Sequence, residues 1–169
     1  MELTTKFVLS SAKRRIANYN NYIKNNEYDN NKIVFLYSSY YKLTQIKAQV
    51  NVSQNEHKEI DTIISQLIDV LCKLIESKEV VVNSLNSNVD ALEHNIDYFL
   101  EQYKLTNKTV EDGSYVYNFT IGLRGMIDDS INGMKLLNHF DDSSFHAIMR
   151  RLKVMNPLLD ELLAFNEKR

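Results

Sequence analysis

Tryptophan is absent from this chain of 169 residues, cysteine and proline occur once each, and glycine occurs four times. Each shortage excludes something. The lone Cys72 cannot form an intrachain disulfide, and its place in an apolar run ending at Leu74-Ile75 reads as that of a small buried hydrophobe. Architectures made of strands and turns use glycine and proline freely, because turns need a positive or a fixed φ. The proline is Pro157 and the glycines are Gly113, Gly122, Gly125 and Gly133, so everything before Gly113 contains neither residue. That stretch reads as helix.

An excess of one charge is also missing. Twenty basic and 22 acidic residues leave a formal charge of −2, whereas a nucleic-acid binder shows a clustered basic face. The short runs Lys13-Arg14-Arg15 and Arg150-Arg151-x-Lys153 read as solvated helix faces. No uncharged stretch approaches the ~18–20 residues needed to span a bilayer. Met1-Glu2-Leu3 lacks the basic start of a signal peptide. Neither nucleic acid nor membrane is expected as a partner, and the expected location is the cytoplasm.

What is present is helical periodicity. With 44% hydrophobic and 25% charged residues the composition is that of a chain able to bury a core. The expected fold class is all-α, a helical bundle of about five to seven helices forming one domain over residues 1–169. A first helix is expected over Thr4–Lys24, where Phe7, Val8, Ala12, Ile16, Tyr19 and Ile23 recur three and four apart. A second follows, capped by Asp29 or Asn30, with a strand as the alternative over its β-branched and aromatic run Ile33–Tyr41. Tyr37, Tyr40 and Tyr41 on it suit either an interface or the edge of a core.

The most regular segment begins at Ser53, where Ser53-x-x-Glu56 matches a capping box. A heptad pattern then runs to Tyr103, with Val82, Val89 and Ile96 at a, and Leu85, Leu92 and Phe99 at d. β-Branched a with Leu at d suits a two-stranded coiled coil. Lys78 and the Asn/Ser-rich stretch over residues 83–88 argue for a break, since short polar side chains compete for backbone hydrogen bonds. One long helix or a helical hairpin therefore both fit. An unbroken helix would expose its seam beyond the bundle and need a second chain, which makes a homodimer through this seam the expected state.

After a loop at Thr106–Ser114, a helix over Tyr115–Leu137 carries Gly122, Gly125 and Gly133, each costing about 1 kcal/mol against alanine. Close helix packing is the ordinary reason for them. The alternative is a partner docking over Gly122 and Gly125 with Arg124 as charged anchor. Asn156-Pro157 signals the start of a last helix.

Catalytic and metal patterns do not emerge. Glu56-His57 and Glu93-His94 are adjacent pairs, which point apart on a helix and cannot act as the Glu-x-x-His pairs of a diiron bundle. Asp128-Asp129 reads as a solvated face. No cofactor and no metal are expected. The expected function is therefore non-enzymatic: binding another protein, as adaptor, regulator, inhibitor or immunity factor. The candidate partner-binding residues are Gly122, Arg124, Gly125, Val82, Leu85, Val89, Leu92, Ile96 and Phe99. The alternative is an assembly protein oligomerising through residues 53–104, and an enzyme of unrecognised type stands third.

Overall fold

The computed structural model describes residues 3–24, 32–49, 51–74, 78–106, 113–139, 143 and 145–167. The described residues form six helices and no strand: α1 (Leu3–Lys24), α2 (Ile33–Lys47), α3 (Gln54–Leu74), α4 (Lys78–Thr106), α5 (Gly113–Leu136) and α6 (His146–Glu167). The all-α bundle expected from the sequence is the observed fold.

Helix α2 is the axis of the bundle, packed by α1, α3, α4 and α5. Its dense apolar run explains this place, because a helix with several neighbours needs a wide apolar surface and keeps only a narrow exposed edge, here at Lys42 and Gln45. Ile33, Val34, Leu36, Tyr37, Ser38, Ser39, Tyr40, Leu43 and Ile46 are all buried. The same run looks like a strand when read alone, and packing against several helices is what fixes it as a helix here. Two of its tyrosines, Tyr37 and Tyr40, are core residues, as is Tyr19 of α1. Arg15 of α1 donates to the Phe35 carbonyl at 3.0 Å and to Ser39 Oγ at 2.6 Å, with its guanidinium over the Phe35 ring.

The capping box forms as the sequence implied. Ser53 Oγ accepts from the Glu56 amide at 3.3 Å, and the Glu56 carboxylate accepts from the Ser53 amide at 3.4 Å. The buried face of α3 is Ile60, Ile63, Leu67, Val70 and Leu71. That stripe leaves Cys72 on the opposite side, so the cysteine is exposed rather than buried.

Over the heptad segment the described residues form α3, as far as Leu74, and α4, from Lys78. Residues 75–77, between them, lie outside the described residues, as do Asp29, Asn30 and Asp112. With 29 residues α4 is about 43 Å long at ~1.5 Å per residue. Leu85, Val89, Leu92 and Ile96 are fully buried, while Val82 and Phe99 are half-buried against the core. Burial on α4 starts one heptad position early at Val81 and ends one late at Leu100. A straight helix of 3.6 residues per turn drifts in this sense against a 3.5 repeat.

Helix α6 corrects the reading of Pro157, which lies inside the helix instead of starting one. The reason is tertiary. Ile148, Leu152, Met155, Leu159 and Leu162 form one buried stripe that continues past the proline, and Pro157 itself is exposed. Lacking an N–H, it leaves the Lys153 carbonyl without its helical donor, a cost that the uninterrupted stripe outweighs. Among the described residues no helix is long and apolar enough to cross a membrane.

Candidate functional site

Helix α5 presents two unlike flanks. Toward α2 its backbone comes very close: a Cβ built on Gly133 would lie 2.6 Å from the Tyr37 carbonyl oxygen and 3.3 Å from its carbon. One turn earlier, the buried Ser130 Oγ sits 2.6 Å from the Val34 carbonyl and 2.7 Å from that of Met126. Close packing therefore explains Gly133. It does not explain Gly122 and Gly125, which are exposed and have nothing within 4 Å of where a Cβ would stand. Beside them Phe119 is 56% exposed and Ile121 39%.

Arg124, between the two glycines, turns inward along the α5–α6 contact. Its Nε donates to Asp128 at 3.1 Å and its Nη1 to the Leu152 carbonyl at 3.0 Å. The guanidinium thus ties α5 to α6 and is already paired. An open groove of about 480 Å³ adjoins it, lined by Arg124 from α5 and by His146, Met149, Arg150, Leu152, Lys153 and Asn156 from α6. A second hollow of about 540 Å³, at the start of α4, is lined by Lys78, Glu79, Val82, Asn83 and Ser143.

The candidate residues thus divide. Gly122 and Gly125 are exposed, whereas Arg124, between them in sequence, turns to the α5–α6 contact. Leu85, Val89, Leu92 and Ile96 are covered by the chain itself, so the middle of the expected homodimer seam is filled from within. The groove's cations were missed. The signal was available: His146, Met149, Arg150, Lys153 and Asn156 share one helix face by spacing, out of phase with the core stripe of α6.

Several other polar groups pair within the fold. Asp128 pairs with Arg124, and Asp129 lies 4.0 Å from Lys42 of α2. Burial pushes the Asp129 carboxyl up, Lys42 pulls it down and Asp128 pushes it up again, with a net rise. Arg151, next to Arg150, turns the other way and bonds Asp90 and Glu93 of α4. Burial lowers its pKa, but those hydrogen bonds and charges leave it raised overall. His139 follows α5, where Asn138 takes the left-handed conformation at φ 52°. The amides of Asn138 and His139 donate back to the Lys135 and Met134 carbonyls, a Schellman closure. This sets His139 Nδ1 at 2.9 Å from the buried Tyr37 hydroxyl. Burial lowers the pKa of His139 and raises that of Tyr37. Among the described residues no group of three His, Cys, Asp or Glu side chains could hold a metal ion.

In comparison with known proteins, no family model, curated sequence or solved structure matches this chain.

Proposed function

We propose that the chain is a non-enzymatic protein that works by binding another protein, as an adaptor, regulator, inhibitor or immunity factor in the cytoplasm. One observation carries this reading: Gly122 and Gly125 are helix-interior glycines that the chain's own packing does not require. Each weakens α5 by about 1 kcal/mol relative to alanine. Removing a side chain from an exposed helix face has a use where another backbone comes close. The exposed Phe119 and Ile121 supply apolar area beside that flat surface. Assembly through residues 53–104 is the weaker alternative, since the middle of that seam is already filled from within.

The test is affinity purification from the native host with the wild-type chain and with Gly122→Ala/Gly125→Ala. The wild type is expected to retain a specific protein that the equally folded double variant loses. Equal retention by both, or no specific protein on the wild type, contradicts the reading.

A further inference from the structure

We propose that the groove between α5 and α6 receives an acidic amphipathic helix from a partner protein, an inference that rests on the protein-binding reading above and specifies the partner's chemistry. The argument starts from Arg150-Arg151, two adjacent residues that helix geometry points about 100° apart. Arg151 is neutralised inside the fold by Asp90 and Glu93, with Asn86 Oδ1 also accepting at 3.3 Å. Arg124 is neutralised by Asp128. Arg150 and Lys153, on the outer face of α6, pair with no carboxylate among the described residues; the Arg150 guanidinium only donates weakly to the His146 carbonyl at 3.4 Å. Among the described residues the groove lining includes Arg124, His146, Arg150 and Lys153 and no acidic side chain. On a chain whose formal charge is −2, that is a local cationic rim complementary to an acidic partner.

Between the cations lie Met149, 42% exposed, and the edge of Leu152. An unbranched, polarisable Met suits a surface that adapts to an apolar anchor. From His146 to Asn156 the α6 wall runs about 15 Å at ~1.5 Å per residue, long enough for a docked helix to seat anchors at i, i+3 or i+4, and i+7. Glutamates flanking those anchors would meet Arg150 and Lys153. Nucleic acid fits less well, because its affinity comes from neutralising many phosphates and the rim offers two unpaired cations around an apolar floor.

The experiment uses a display library of helical peptides with apolar residues fixed at i, i+3, i+4 and i+7 and flanking positions drawn from Glu, Gln and Lys, selected on the full-length chain. The selected peptides are expected to be rich in Glu. A fluorescent copy of the most enriched one should bind Arg150→Glu/Lys153→Glu at least about tenfold more weakly than wild type, a change of about 1.4 kcal/mol. A Lys6→Glu/Lys58→Glu control, which leaves the groove untouched, should bind as wild type does. Circular dichroism establishes that both variants stay folded. Enrichment of Lys-rich or uncharged peptides, no enrichment, or binding indifferent to the groove reversal overturns the inference. So does a fluorescent single-stranded RNA 12-mer that binds the wild type, loses the reversed variant and outcompetes the peptide. A host protein retained equally by wild type and by Arg150→Glu/Lys153→Glu overturns the groove inference but leaves the protein-binding reading standing. A wild type that retains none overturns that reading.

Discussion

The α2 flank of α5 is closed and its α6 flank is open. Against α2, a glycine and a serine let two backbones meet, with Gly133 set on the Tyr37 carbonyl and Ser130 on that of Val34. Against α6, one guanidinium bridges to a backbone carbonyl, and a groove remains beside it. Glycine occurs on α5 for opposite physical reasons at different positions. At Gly133 the fold has no room for a methyl group; at Gly122 and Gly125 it has room that it does not use. The same residue on one helix marks a fold requirement in the first case and a surface free for something else in the second.

The largest effect sharpening this contrast is expected in the closed interior. Leu92→Asp puts a carboxylate where the wild-type side chain is fully buried. The loss is expected to be roughly 4 kcal/mol or more, combining lost core packing with the burial of an ionisable group. Circular dichroism melts should show a much lower midpoint, and light scattering should show the wild-type mass. A stable variant of smaller mass would restore the intermolecular seam. Next, Gly133→Ala should cost about 2 kcal/mol, since the new methyl meets backbone rather than a flexible side chain; denaturant midpoints measure it, and an unchanged midpoint would erase the closed flank. Arg124→Ala should cost about 1–2 kcal/mol by removing a charged donor from the Leu152 carbonyl, read from the same titration. Arg151→Ala, whose ion pairs are largely solvent-exposed, should cost less than about 1 kcal/mol and lose even that in high salt.

The smallest effect is a pH dependence at the end of the closed flank. Burial holds His139 below the ordinary imidazole pKa, so the folded chain binds fewer protons than the unfolded one. Its contribution to stability is present above pH ~6.5 and is lost as pH falls through the lowered folded value. Protonation also makes both ring nitrogens donors, so the Tyr37 hydroxyl can then only accept from Nδ1. Melting temperatures at about pH 7.5 and pH 5 should differ more for wild type than for His139→Gln. Equal slopes would rule the histidine out as the source of the dependence.

Much of this fold was legible because its signals are local. The spacing of Val8, Ala12, Ile16 and Tyr19 located α1 almost to its observed ends, and Ser53 with Glu56 located the start of α3. What local pattern could not decide was set by partners distant in sequence. Pro157 sits inside α6 because Met155 and Leu159 bury into one core on either side of it. Cys72 faces out because α3 buries the face of Leu67 and Leu71. The seam of α4 read equally well as an oligomer interface, since periodicity identifies a buried face without saying which chain buries it. The site was half legible. The glycines of α5 stood out by propensity, but telling Gly133 from Gly122 and Gly125 requires knowing where Tyr37 lies. The free cations of α6 stayed hidden in a basic run whose middle member, Arg151, turns to α4.

The central claim is that Gly122 and Gly125 are kept for a surface and not for the fold. The thermal midpoint of Gly122→Ala/Gly125→Ala, measured on the isolated chain, tests it most directly. With open space at both positions and about 1 kcal/mol of helix propensity gained at each, the double variant should be more stable by about 2 kcal/mol. For a chain of this size that raises the midpoint by roughly 4–8 °C. A midpoint at or below that of wild type would mean that the fold itself needs these glycines, and the open flank of α5 would lose its claim to function.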